Sequence, residues 1–220
     1  MNDSDLFAII RDRLFTAVIG DVMDTAGLRH QFLPPEVRPI TAEALVVGRA
    51  MPVQVADVDF DAAESDPFGL MFRALDDLKA GEVYVGAGAS LTYALWGGLM
   101  STRAMRLGCT GAVFDGFHRD TRDILHLGFP VFSRGAYAQD QRGRGRVTDF
   151  RSPIALANGV RIQPRDIVFG DRDGVLIIPS ADAADIVQAA LAKVEGEDGV
   201  RRMIEAGEPT EGIFARTGIM

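Results

Sequence analysis

The sequence predicts a mixed α/β domain with a parallel βαβ centre, a segment of short strands and a helix towards the C-terminus. Three observations carry this. Strand-like and helix-like stretches alternate over roughly fifty residues, from Glu82 to Phe132, as parallel strands joined by crossover helices require. From residue 133 the apolar runs shorten and turn residues separate them, as in Pro164-Arg165-Asp166 and Asp173-Gly174. Residues 181–206 then return to helical character, weakened by Gly196 and Gly199.

Taken in order, residues 5–28 read as helix, turn and helix. Leu6, Ile9, Ile10, Arg13 and Leu14 fall on one face of the first, and the second ends at Gly27. Leu33-Pro34-Pro35 is an extended connector. Residues 44–48 and 50–55 predict strands around a bulge, and residues 66–79 a helix that stops before Gly81. Glu82 to Val85 is a strand, followed by a Gly-rich loop and a helix from Gly98 to Leu107. Gly111 to Phe114 is the next strand, Thr121 to Leu127 the next helix, and Phe129 to Phe132 the strand after it. Asp149 to Ile154, Val160 to Ile162, Ile167 to Phe169 and Gly174 to Ile178 complete an antiparallel segment. No repeat or low-complexity tail interrupts residues 1–220, which read as a single domain.

Composition narrows the function. Of 220 residues 47% are hydrophobic and 25% charged, which is too apolar for a disordered chain and enough for a sizeable core. Thirty-one acids against 23 Lys and Arg give a net charge of −8, so nucleic acid is a poor first choice of partner. The lone Cys109 lies in the apolar run Cys109 to Val113 and reads as a buried, inert thiol in a reducing, cytoplasmic setting. The acidic N-terminus resembles no secretory signal. The uncharged stretch Val83 to Thr102 is long enough to span a bilayer, but four glycines and two tyrosines interrupt it, so no membrane is expected.

In a parallel sheet, ligands bind beyond the carboxyl ends of the strands. Two loops follow consecutive strands here, Gly86 to Gly98 and Asp115 to Asp120, and are expected to be neighbours. The first delivers the N–H groups of Gly97, Gly98, Leu99 and Met100 at a helix start, where a carboxylate or phosphate binds well. The second carries Asp115, His118, Arg119 and Asp120, with Asp123 one turn further on. Arg119 suits bidentate capture of a carboxylate, and an adjacent Asp suits Mg²⁺ or Mn²⁺.

Plain structural readings stand beside these. Arg119–Asp123 also fits an i,i+4 surface pair, and Asp120 a helix N-cap. His118 reads as a loop residue rather than a base, and Arg142 to Arg146 as a solvated loop. Gly86-Ala87-Gly88 is half a dinucleotide fingerprint, with Leu91 where the third glycine belongs and Asp115 as the one candidate to hold a ribose.

Trp96-Gly97-Gly98-Leu99-Met100-Ser101-Thr102, Gly111 to Gly116, His118-Arg119-Asp120-Thr121 and Gly128 to Phe132 together resemble the RraA-like family, which includes the class II 4-hydroxy-4-methyl-2-oxoglutarate (4-carboxy-4-hydroxy-2-oxoadipate) aldolases. Arg38-Pro39-Ile40, Asp171 to Val175 and Arg201-Arg202 fit as well, so the similarity spans roughly residues 10–220. It implies a swivelling β/β/α-type fold, assembled as a homotrimer or hexamer with active sites between subunits. It further implies a metal-dependent lyase that releases pyruvate from a small 2-oxo acid or decarboxylates oxaloacetate. In that scheme Gly97, Gly98, Leu99 and Met100 bind the carboxylate and Arg119 holds the oxo-acid end. Asp120 binds Mg²⁺ or Mn²⁺, Glu197 or Asp198 arrives from a neighbouring subunit, and Asp21 lies where a further acid is found.

One departure is visible: the family's aldolases carry Asp or Glu at the position of Gly98. Loss of an acid that supports a metal's ligands weakens binding about 10–100-fold. The resemblance therefore leaves a second reading, a non-catalytic RraA-type regulator that binds a protein partner. Against it, such members tend to lack the Asp of Arg119-Asp120, which is intact here.

Overall fold

The computed structural model describes residues 2–59 and 66–219. Helices α1 (Asp3–Arg13) and α2 (Thr16–Thr25) lead to β1 (Arg38–Pro39) and the long β2 (Val46–Asp57). Then follow α3 (Met71–Asp76), β3 (Glu82–Ala87), β4 (Ala94–Trp96), α4 (Gly98–Arg106), β5 (Gly111–Phe114), β6 (Phe117–His118), α5 (Thr121–Leu127) and β7 (Val131–Ser133). The short strands are β8 (Gly145–Phe150), β9 (Ile154–Ala155), β10 (Arg161–Ile162), β11 (Ile167–Asp171) and β12 (Gly174–Ile178). Helices α6 (Ala183–Glu205) and α7 (Thr210–Thr217) close the order.

One mixed sheet organises the chain, in the order β1-β7-β5-β3-β2-β11-β12. Its centre is parallel, β2 with β3, β3 with β5 and β5 with β7, as the strand–helix alternation requires. β11 pairs antiparallel with the first half of β2, and β8 with its second half. The sheet's ends approach each other: Leu33 N–H donates to Val175 O at 2.9 Å, and Arg38 to the Asp173 carbonyl. The result is a nearly closed mixed sheet.

Alternation along the strands divides the core. Met51, Val53, Tyr84, Ala112 and Phe114 meet α3, α4 and α5 on one face. Ala50, Val83, Val85, Val113 and Phe132 point to the other, where Val168, Val175 and Ile177 join them. Beside the first cluster, Ile167, Phe169, Leu176 and Ile178 bury against α1, α2 and α6.

Five expectations need correction. In place of strands over 44–48 and 50–55, one continuous strand runs Val46–Asp57, and its irregularity lies at Gln54/Val55. Gly48 is a packing glycine: a Cβ there would stand 2.6 Å from the Gly81 carbonyl. The helix expected over 66–79 shrinks to Met71–Asp76, because Gly69 adopts a left-handed turn (φ +59°) with its N–H bonded to Asp66. The stretch 149–154 is divided between β8 and β9, and the uncharged loop before Gly98 contains β4. The C-terminal helix runs unbroken through Gly196 and Gly199 and is followed by α7. Among the described residues, no helix is long and apolar enough to cross a membrane.

Candidate functional site

β3 and β5 end side by side, and the loops beyond them carry a two-stranded parallel pair of their own, β4 with β6. This pair places the start of α4 against the start of α5: Arg119 N–H donates to Trp96 O at 2.9 Å. Trp96 is buried among Tyr84, Phe114 and Phe129, and its Nε1 donates to Ser101 Oγ at 2.7 Å. Ser101 Oγ donates in turn to Gly97 O at 3.1 Å, so the first turn of α4 is anchored from below.

Asp120 occupies the position before α5, yet its side chain makes no capping bond to that helix. It reaches across instead, and Gly98 N–H donates to its Oδ2 at 3.1 Å. Its backbone is left-handed (φ 56°, ψ 37°), a conformation Asp adopts more readily than most residues and that clusters at functional sites. His118, buried beneath it, holds the turn: Nδ1 lies 2.7 Å from Ser133 Oγ and Nε2 3.0 Å from Thr121 Oγ1. Burial pushes the His118 imidazole below its ordinary pKa. It is a satisfied core histidine in a short strand rather than a loop residue.

Two glycines make the approach possible. Gly97 is extended, so its requirement is space: a Cβ there would stand 2.5 Å from Asp120 Oδ2. At Gly98 a Cβ would meet Asp123 Cβ at 3.0 Å and Asp123 Oδ2 at 3.3 Å. The carboxylate of Asp123 therefore stands where a side chain at position 98 would project. Of the helix-start N–H groups, that of Gly98 is taken by Asp120, while those of Leu99 and Met100 have no acceptor among the described residues.

Arg119 Nη1 pairs with Asp140 Oδ1 at 3.2 Å, and its Nε lies 3.8 Å from Asp120 Oδ2. No Arg119–Asp123 ion pair forms among the described residues. A cavity of about 250 Å³ opens here, polar at Gly97, Arg119, Asp120 and Asp140 and apolar at Phe68, Met71, Phe72, Leu99 and Met100. A second hollow of about 330 Å³ lies on the other side of Arg119 and Asp120, against Ala136 and Tyr137. Asp140, Gln141, Phe68 and Phe72 were invisible to motif reading: their meeting with residues 97–120 is a tertiary event without local signal.

The donor set is hard and oxygen-only. Among the described residues, no group of three or more His, Cys, Asp or Glu is placed to hold a metal ion. One chain offers the Asp120 and Asp123 carboxylates, which fits a cation that keeps several waters, Mg²⁺ or Mn²⁺, and not a closed structural zinc site.

Asp21 and Glu197 are brought to each other instead of to Arg119. Lys193 Nζ on α6 lies 3.2 Å from Asp21 Oδ2 and 3.1 Å from Glu197 Oε1. Against a burial that lowers it, these bonds hold the Lys193 ammonium above its ordinary pKa. The remaining candidates resolve as packing. Burial raises the Cys109 thiol to about 11, Arg134 locks Asp115 at 2.7 Å, and Gly86 is needed for the Phe114 ring, 2.9 Å from a would-be Cβ. Gly86 and Ala87 of the half fingerprint thus lie inside β3, Gly88 follows it in a left-handed conformation, and the next element is a strand, β4, rather than a helix.

Comparison with known proteins agrees with this architecture. Residues 16–177 match the model of the RraA-like family, described as Aldolase/RraA. A Halalkalibacterium halodurans protein named as a proposed 4-hydroxy-4-methyl-2-oxoglutarate aldolase is 33% identical over 190 residues, 86% of this chain and 84% of that one. A Burkholderia mallei protein with the same name is 36% identical over 115 residues, 51% of this chain and 67% of that one. The crystal structure of Streptomyces coelicolor RraAS2, titled an unusual member of the RNase ES inhibitor RraA family, superposes with a TM-score of 0.79 at 25% identity. It covers 91% of this chain and 97% of that one. With a family match over most of its length and the same fold in a solved member, the chain belongs to the RraA-like family.

Proposed function

We propose that the chain is a divalent-metal-dependent lyase that acts on small 2-oxo acids. It releases pyruvate by retro-aldol cleavage of 4-hydroxy-2-oxo acids, the class that includes 4-hydroxy-4-methyl-2-oxoglutarate, or decarboxylates oxaloacetate. The observation that carries this reading is the placement of the Asp120 carboxylate 3.1 Å from the start of α4, with Arg119 beside it. The Leu99 and Met100 N–H groups and Arg119 then bind the substrate carboxylate, which fixes the scissile bond relative to Asp120. When bound at Asp120, Mg²⁺ or Mn²⁺ supplies Lewis-acid polarisation of the 2-oxo group.

Asp123 answers the missing acid at position 98. Its carboxylate occupies the space a side chain there would enter, one helical turn from Asp120, so the second carboxylate comes from α5 instead of α4. The acid that takes the 4-hydroxyl proton through water is assigned to Glu197 or Asp198 of a neighbouring subunit in a trimer or hexamer.

The test is pyruvate release from a panel of 4-hydroxy-4-methyl-2-oxoglutarate, oxaloacetate and 4-hydroxy-2-oxopentanoate, with Mg²⁺ or Mn²⁺ and with EDTA. Metal-dependent release is expected from at least one. The regulator reading is favoured by Gly98 and by the likeness to RraAS2. A stable protein complex together with silence on the whole panel would decide for it.

A further inference from the structure

The cavity beside Arg119 is chemically divided, and its division specifies more than a 2-oxo acid. Its charged lining residues are Arg119, Asp120 and Asp140, one cation against two acids. Arg119 lies between them, 3.2 Å from Asp140 and 3.8 Å from Asp120. With the helix start of α4, this arrangement has capacity for one carboxylate. The opposite end is formed by Phe68, Met71, Phe72, Leu99 and Met100, with Phe68 and Phe72 edge-to-face at 5.4 Å between ring centroids. No Lys, second Arg or His lines that end among the described residues. A second carboxylate placed there would lose water against aromatic and thioether surface and face Asp140 without a counter-charge. An alkyl or aryl group would instead bury apolar area and join the ring pair.

Gln141, only 4% exposed, also lines the cavity, and being neutral it brings no counter-charge to it.

Resting on the lyase reading, we propose that the site takes 4-hydroxy-2-oxo acids with one carboxylate and an uncharged alkyl or aryl substituent on C4, in preference to dicarboxylates. The C3–C4 bond breaks as the 4-hydroxyl loses its proton. The O–H pair becomes the C4=O bond, the C3–C4 pair passes to C3, and C3 takes up a proton. Pyruvate and an apolar aldehyde leave, and no oxidant or reductant is consumed.

Binding and turnover separate this proposal from the reading beneath it. Calorimetry with two acids that cannot be cleaved, 2-oxo-4-phenylbutanoate and 2-oxoglutarate, is run on the full chain with Mg²⁺. The phenyl compound is expected to bind at least about tenfold more tightly. Phe72→Arg, at a half-exposed position that tolerates charge, is expected to reverse the order. Equal affinities, the reverse order in the unaltered protein, or no binding of either acid would overturn the proposal. Pyruvate release from 4-hydroxy-2-oxo-4-phenylbutanoate is measured alongside. Preferential binding without release from this compound or from any member of the panel would leave the ligand class standing and remove the lyase assignment.

Discussion

Gly98 and Asp123 share one space: a Cβ on Gly98 would come within 3.0 Å of Asp123 Cβ, so the two positions accommodate one side chain between them. A carboxylate reaches the neighbourhood of Asp120 from α5 because α4 leaves room for it. Asp123→Ala is therefore expected to weaken Mn²⁺ binding about 10–100-fold, read by calorimetry. Gly98→Asp alone crowds Asp123 and is expected to impair binding. The exchange Gly98→Asp with Asp123→Gly is expected to restore it, and failure to recover would show that Asp123 does not act in that space.

Gly97→Ala tests the approach of the two loops. The added methyl meets Asp120 Oδ2 at 2.5 Å, far inside contact distance, and must push the carboxylate from Gly98 N–H. Turnover is expected to fall by about 100-fold with the urea midpoint changed little. A fully active Gly97→Ala protein would remove Asp120 from the site.

Ser101→Ala tests the anchor under α4. Without Ser101 Oγ the buried Trp96 Nε1 loses its acceptor, at a cost of about 1–3 kcal/mol. Trp96 is the chain's single tryptophan, so its fluorescence reports both unfolding and the change at the helix start.

Arg151 clamps Glu82 and Asp77 from a left-handed backbone position, with Nη1 2.8 Å from Glu82 Oε1. Arg151→Met strands the buried Glu82 carboxylate and is expected to cost about 2–3 kcal/mol. The same clamp predicts a pH dependence. Hydrogen bonding from Arg151 holds Asp77 below its ordinary value of 3.8. A carboxyl depressed in the folded state contributes stability that is present above 3.8 and lost as pH falls through its folded value. Asp77→Asn is thus expected to lower the urea midpoint at pH 7 and to differ little from the parent near pH 2. An unchanged difference at both pH values would contradict this.

Much of the site was legible because its signals are local. Gly108 and Gly128 end their helices in left-handed conformations, and the βαβ spacing alone made the loops after β3 and β5 neighbours. What the sequence concealed depends on distant contacts. β4 and β6 contain three and two residues and exist only through each other. Asp140 meets Arg119 across the chain, and no residue pattern announces it. Gly196 reads as a helix breaker but is a packing position, where a Cβ would lie 2.7 Å from Ile219 Cδ1. Asp120 was legible as an N-cap or as a ligand; the structure gives it the first position without that role, its side chain turned to Gly98.

The central proposal is that Asp120, which precedes α5 and turns its carboxylate to the start of α4, serves a metal-dependent lyase. The most direct measurement is pyruvate release from the 2-oxo acid panel by the unaltered protein and by Asp120→Ala, each with Mn²⁺ and with EDTA. Release that requires the metal and disappears in Asp120→Ala is the predicted result. Release that persists in Asp120→Ala, or that ignores EDTA, would contradict it.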